Sequence, residues 1–273
     1  MDSLGGPESG LVMREPPPLS LLTRDPARAL QFELPLDQPE YVEHWYHTIT
    51  FPDGEVTPGI YDHRELLPHY GLPDDLSGKR ALDAGTANGF WAFEMERRGA
   101  DVTAVDLHSS LELDFPPQVL ALLRLKPPRP RGQRFWEAHA RLGSEVRYED
   151  LSVYALDEKG LGLFDLVHAG DILLHLERPL DALRQFRDVV AAGGQLIISD
   201  VVDPDLPPRE GMEFTTKYLG GWDTHTWWCP SIDALAQMII DAGFSAVEIH
   251  LVYMLPTRGR DEGPWRAVFR ATP

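Results

Sequence analysis

Five short apolar runs, each closing on or near an Asp or a Gly, constrain this chain more than any other feature. They are KRALDAG, DVTAVDL, EVRYEDL, FDLVHAG and QLIISDVV, spread between Lys79 and Val202. Helical patterns separate several of them: FWAFEMERRG, RFWEAHARLG and PLDALRQFRDVVAAGG, the last expected to stay helical to its AAGG end. Strands that alternate with helices give a parallel sheet with right-handed crossovers and helices on both faces. SIDALAQMIIDAGF then reads as a helix, followed by SAVEIHLVYML and WRAVFRAT, two strands close enough in sequence to pair antiparallel. The expected fold is therefore α/β: a Rossmann-like, seven-stranded, mostly parallel sheet with helices on both faces and a C-terminal antiparallel hairpin.

The chain of 273 residues divides around this pattern. Residues 1–23 are rich in Gly, Pro and Ser and are expected to be disordered. Residues 24–78 are expected to form an N-terminal extension or lid, with a short helix within 24–38, ahead of a main domain over 79–273. The linker 108–132 is Pro-rich and long for a standard connection, which suits a segment covering a site. Its basic run, Arg124 to Arg134, reads as a solvated loop. Acids outnumber Lys and Arg by 43 to 25, a net charge of -18. Such a surface repels a phosphate backbone, so a small-molecule substrate is expected and a nucleic acid is not. Cys229 is the single cysteine and forms no intramolecular disulfide. With no long apolar segment and no signal-like N-terminus, a cytoplasmic location without membrane contact is expected.

ALDAGTANGFWAFEME places Asp83, Gly85 and Gly89 where a strand runs into a helix. Glycines there let the backbone turn sharply and approach a ligand. Asp106 closes the next strand, at the distance where a carboxylate accepts both hydroxyls of a ribose. The dinucleotide pattern G-x-G-x-x-G is absent. An acid directly before the turn repels a pyrophosphate but attracts an ammonium. Asp83 therefore favours S-adenosylmethionine over a nicotinamide dinucleotide. Asp150 and Leu151 end the third strand, where an acid can accept from the adenine amino group.

LDAGTANG, VTAVDL, EDLSVY, FDLVHAGDILLHLERPLDALRQF and GGQLIISD resemble, in order, the motifs of class I S-adenosylmethionine-dependent methyltransferases, over residues 79–270. The resemblance implies that Asp83, Gly85, Thr86 and Gly89 line the methionine moiety, Asp106 and Leu107 the ribose, and Asp150 and Leu151 the adenine. Thr86 stands where the family often has a glycine. A narrower resemblance, in TPGIYDHRELLPHY and WWCPSIDALAQMIIDAGF, is to the tRNA uridine-34 carboxymethyltransferase group. In that group a lysine and an arginine help hold the carboxylate of carboxy-S-adenosylmethionine. Arg266 lies where the arginine is expected, but no lysine precedes Lys79, and Asp53 and Glu55 lie near the position that needs one. Plain S-adenosylmethionine and a different acceptor are expected, with tRNA modification or a non-catalytic cofactor-binding role as alternatives.

Methyl transfer to a hydroxyl, phenol or acidic carbon needs a base as well as alignment, and histidine suits that near neutral pH. His168 and His175, around the end of the fourth strand, are candidates, with Asp171 between them. His225 and Trp227, in GGWDTHTWWCPS, are candidates for holding an acceptor. The segment HWYHTITFPDGEVTPGIYDHR adds His47 as a further base, and Trp45 and Tyr61 as pocket walls. His44 and His47 are spaced i, i+3, but TITFPDGEV reads as strand and turn, so no metal site is expected.

Overall fold

A computed structural model describes residues 43–125, 130–211, 213–222 and 225–273. The expectations for residues 1–23 and for a helix within 24–38 lie outside them. Among the described residues five strands and four α-helices come first: β1 (Arg80–Ala84), α1 (Phe90–Arg97), β2 (Asp101–Asp106), α2 (Pro117–Leu123), α3 (Gln133–Leu142), β3 (Arg147–Asp150), β4 (Phe164–Gly170), α4 (Pro179–Val189) and β5 (Val190–Val201). A small ribbon of β6 (Thr216–Tyr218) and β7 (Trp228–Pro230) precedes α5 (Ile232–Asp241), β8 (Ala246–Met254) and β9 (Trp265–Thr272).

The main sheet has seven strands in the order β3-β2-β1-β4-β5-β9-β8. β1 to β5 pair in parallel, whereas β9 pairs antiparallel with both β5 and β8. This is the expected architecture. Its cause is visible in β1, where Ala81 and Leu82 are both buried but in different clusters, because successive side chains leave opposite faces of a strand. On one face Leu82, Val167 and Ile198 pack with Leu183 and Phe186 of α4 and Leu235 and Ile239 of α5. On the other face Ala81, Leu166 and Ile197 pack with Trp91 and Met95 of α1 and Phe135 of α3. Enclosing a side chain such as Phe186 contributes roughly 1.5–3 kcal/mol.

One boundary differs from the sequence expectation. α4 ends at Val189, and the AAGG stretch lies inside β5. There the pairing with β4 jumps from Phe164↔Val190 to Leu166↔Gln195. A Cβ at Gly194 would stand 2.9 Å from the carbonyl oxygens of Phe164 and Asp165, so glycine permits the close approach that an extended helix would prevent.

The strand order reverses direction between β1 and β4, so a crevice opens beyond their carboxyl ends. The segment 43–64 docks against that rim. It forms no helix before the short 3-10 turn Arg64–Leu66, and isolated bridges pair His47 with Tyr61 and Thr50 with Val56. Trp45, Ile49 and Phe51 join the core on the α1 face.

Candidate functional site

β1 delivers the chain into a turn held from several sides. Gly85 and Thr86 donate to the carbonyl of Val105, and Ala87 donates to Asp106 Oδ2 at 2.8 Å. Gly85 has φ +78, and a Cβ there would meet Ile172 Cδ1 at 2.3 Å. Gly89, at φ +87, sits at the N-cap of α1. Three non-glycine residues have positive φ among the described residues: Ala87, Asp171 and His225. All three line one cleft of about 520 Å³ beyond the ends of β1 and β4. Strained backbone of this kind persists where surrounding structure fixes it, and it gathers at functional sites.

Carboxylates mark out this cleft. Asp83 is 1% exposed; its Oδ1 lies 2.7 Å from His168 Nδ1, and its Oδ2 accepts from the Thr86 hydroxyl at 2.6 Å. Asp106 closes the turn through one oxygen and through the other accepts from the backbone of Leu107 and from Arg131 Nη2, at 2.7 and 3.2 Å. Asp171 accepts from Arg266 Nε at 2.8 Å on both oxygens and from the Tyr46 hydroxyl at 3.2 Å. The buried Arg266 guanidinium also lies 4.6 Å from the centroid of the Tyr61 ring. Behind the wall, Asp200 accepts from the backbone N–H groups of Ile172, Leu173 and Leu174, and so shapes the turn after β4. Burial, then the charge of Asp171, pushes Asp200 up to about 7.

Two imidazoles face each other at the opposite end. His175 and His225 stack with ring centroids 4.7 Å apart and planes 12° from parallel, and Phe115 lies 4.4 Å beyond His225. His175 Nδ1 is 2.8 Å from the carbonyl oxygen of His225. A carbonyl only accepts, so Nδ1 carries the proton and Nε2 keeps the lone pair. Burial lowers the pKa of His175, which stands as the neutral, proton-accepting form at pH 7.

The sequence candidates separate in space. Asp83, Gly85, Asp106, Leu107 and Leu151 line the cleft, as do His47, Tyr61, Asp171, His175 and His225. Thr86 and Gly89 shape the turn from behind. Asp150 stands off the cleft wall, with Oδ1 accepting from the backbone of His108 at 3.0 Å. His168 is fully enclosed, between Asp83 on Nδ1 and the Tyr70 hydroxyl 2.9 Å from Nε2, and so has no free nitrogen for a base. Trp45 is a core residue beneath Arg134, not a pocket wall. Trp227 is likewise buried, its indole N–H donating to the carbonyl of Asp114 at 2.5 Å. In the described part of the basic run Arg124, Leu125 and Pro130 are exposed as expected, but Arg131 pairs with Asp106, and Arg134 donates to Glu137 and to the carbonyl of Glu43. Asp53 and Glu55 lie on the outer surface, both paired with Arg141.

The sequence gives no site role to Tyr46 or Arg131, and it points Arg266 at a carboxylate of the cofactor rather than at Asp171. Tyr46 reaches Asp171, and its backbone N–H donates to Asn88 Oδ1, where His47 N–H also donates at 3.3 Å. Arg131 crosses onto Asp106 from 25 residues away. Arg266 is committed to Asp171 across 95 residues. Arg131 carried a signal as part of the basic run, and Arg266 as the arginine to which the narrower resemblance points.

Comparison with known proteins adds a family. A family model described as a methyltransferase domain matches residues 61–249. The tRNA U34 carboxymethyltransferase of Azotobacter vinelandii is 31% identical over 191 residues, covering 69% of this chain and 50% of that protein. The ubiquinone biosynthesis O-methyltransferase of Psychrobacter arcticus is 28% identical over 182 residues, covering 64% of this chain and 62% of that protein. This chain spans about half the length of the carboxymethyltransferases it matches. Among solved structures, YcgJ from Bacillus subtilis superposes with a TM-score of 0.54 at 13% identity, over 77% of this chain and 97% of that one. The N-terminal domain of EvdMO1, solved with SAH bound, gives 0.52 at 17% identity, over 90% and 94%. These two likenesses show the same fold.

Proposed function

We propose, from the premise that the chain belongs to the S-adenosylmethionine-dependent methyltransferases, that it methylates a small molecule at an atom that must lose a proton. The observation that carries this reading is His175: its proton is fixed on Nδ1 and its lone pair stands on Nε2, on the wall of the cleft that also holds Asp83 and Asp106.

The residues of the cleft fit the cofactor by their chemistry. Asp83 is a buried carboxylate that a hydroxyl and an imidazole hold, with no Lys or Arg beside it among the described residues. An ammonium supplies the missing charge. Asp106 suits ribose hydroxyls, and Leu107, Leu151 and Val153 offer an apolar bed for a purine. When bound, S-adenosylmethionine supplies a methyl group on an activated sulfonium. What remains for the protein is to align the acceptor, keep water out and take a proton. Tyr46 and Tyr61 roof the cleft from the docked arm, and His175 accepts the acceptor's proton at Nε2. Arg266 is held by Asp171 and is 1% exposed, so it is not free to bind a carboxylate on the transferred group. Transfer of a plain methyl group follows.

Five acids line the cleft; Arg266 pairs with Asp171 and Arg131 with Asp106, and the remaining three, Asp83, Glu112 and Asp114, have no Lys or Arg ion pair among the described residues, which favours a neutral or cationic acceptor over a polyanion. The test is transfer of labelled methyl from S-adenosylmethionine into a fractionated metabolite extract. Cofactor binding without transfer into any fraction would sink the reading. A second reading, a tRNA acceptor, is favoured by the names of the carboxymethyltransferase relatives. Tight, salt-sensitive binding of total tRNA, with label entering it, would establish that reading instead.

A further inference from the structure

His168 and Asp83 are register partners on adjacent parallel strands, β4 and β1, so their side chains leave the same face of the sheet. His168 is completely enclosed, with Trp91 4.8 Å away ring to ring and the Tyr70 ring stacked on Trp91 at 4.0 Å. A polar chain runs through this apolar surround: Tyr70 hydroxyl, His168 Nε2, His168 Nδ1, Asp83 Oδ1. Its proton positions follow from its ends. The Asp83 carboxylate accepts from the Thr86 hydroxyl on its other oxygen, so His168 Nδ1 is the donor to Oδ1. In the tautomer with its proton on Nδ1 alone, Nε2 accepts and the Tyr70 hydroxyl donates to it, which gives every polar atom of the run a partner. Burial holds Tyr70 well above its usual pKa, in the protonated form that can donate.

We infer that His168 is a positioning residue for the amino-acid end of the cofactor: with Tyr70 behind it, it fixes the Asp83 carboxylate to receive the cofactor's ammonium. The inference rests on the assignment of Asp83 to the methionine moiety. Its basis is that an imidazole and a hydroxyl, neither of them a permanent cation, each occupy one oxygen of Asp83. A lysine or arginine in the same place would cancel the charge the ligand needs, whereas an imidazole and a hydroxyl hold the carboxylate's direction without a permanent counter-charge. A histidine in this strand is therefore matched to a cationic ligand. An ordinary core polar pair has no such reason to leave a carboxylate short of a counter-charge.

Two probes separate positioning from packing. S-adenosylhomocysteine carries the ammonium; 5′-methylthioadenosine keeps the nucleoside and sulfur but lacks the amino-acid end. Calorimetry on the full chain should show His168→Leu weakening S-adenosylhomocysteine about tenfold or more while methylthioadenosine is unmoved. His168→Asn, whose amide N–H takes the place of Nδ1–H, should recover most of that loss. Tyr70→Phe should weaken only S-adenosylhomocysteine, by roughly threefold. It keeps the ring, so it carries the test if the leucine variant does not fold. Equal weakening of both probes, or no weakening of either, overturns the inference. Asp83→Asn serves as the reference: if it leaves S-adenosylhomocysteine affinity intact, the Asp83 assignment itself fails. If it weakens binding while the His168 and Tyr70 variants do not, only the positioning role falls.

Discussion

The two ends of the cleft are built on different plans. At the glycine-turn end, Asp83, Gly85, Asp106 and Leu151 stand at or just beyond the tips of three parallel strands, each delivered by its own short segment. Sheet pairing sets their spacing. At the other end the walls come from the docked arm (Tyr46, His47, Tyr61), the turn after β4 (Asp171, His175) and the loop before β7 (His225). There the chain is held by side chains reaching across long intervals: Tyr46 to Asp171, Arg266 to Asp171, His175 to the His225 carbonyl. In the proposed function the first plan fixes the cofactor common to the family, and the second leaves the acceptor end free to be rebuilt. Mutations should therefore act differently at the two ends.

The largest expected effect is on turnover. His175→Ala removes the proposed base and should lower kcat by about 10²- to 10⁴-fold, with affinity for S-adenosylhomocysteine unchanged. A rate assay beside calorimetry checks both halves. A loss of kcat below tenfold would mean that the acceptor loses its proton without help. Next is a stability effect. Asp171→Asn leaves the Arg266 guanidinium buried without its counter-charge and should cost about 3–5 kcal/mol, read from denaturant unfolding. If stability barely falls, Arg266 has found another partner, and the acceptor end is more plastic than its hydrogen bonds imply.

The same contrast explains what the sequence disclosed. The parallel strands were legible because each apolar run ends in a residue that breaks it, and the two-fold periodicity of Ala81 and Leu82 repeats in the strands around it. Gly85 and Asp106 were legible for the same reason: their positions are fixed by where strands end. The start of β5 was not, because AAGG follows a strong helical pattern and only the contact of Gly194 with the backbone of β4 shows why the helix stops. His168 was misread from its place beside the cleft; strand register turns it inward, against Tyr70. Trp45 and Trp227 were misread as pocket walls because an aromatic in a loop looks alike whether it faces a ligand or a core. Tyr46 had no local signal, and neither the basic run around Arg131 nor the resemblance at Arg266 disclosed a partner, because each partner lies far along the chain.

A third substitution sharpens the cofactor end. Asp106→Asn keeps the shape but removes the charge that holds Arg131 and the carboxylate proposed for the ribose. Affinity for S-adenosylhomocysteine should fall by roughly 1.5–3 kcal/mol. Unchanged affinity would show that Arg131, not the ligand, is the partner that Asp106 serves.

The smallest effect is a mild acid lability confined to the arm. His47 and His63 lie with ring centroids 5.3 Å apart, and the Nδ1 atom of each is buried with no hydrogen-bond partner. Both pKa values fall from 6.5 to about 3: His47 through burial and then the neighbouring His63, His63 through burial and then the charge of Arg266. Well above pH 6.5 both are neutral whether folded or not, and neither affects stability. As pH falls below 6.5 the unfolded chain takes up protons that the folded arm refuses, so stability is lost progressively towards pH 3. Between pH 7 and pH 6 the loss is about 1 kcal/mol or less per histidine, growing by about 1.4 kcal/mol for each further pH unit. Hydrogen exchange should report it first at Thr48, Thr57 and Tyr61, whose N–H groups hold the arm together, while the sheet amides of β4 and β5 keep their protection. His63→Phe should flatten the pH dependence by about half. Simultaneous loss of protection in arm and sheet would show instead that the arm is part of the same cooperative unit as the core, and that the acceptor end is as rigid as the glycine-turn end.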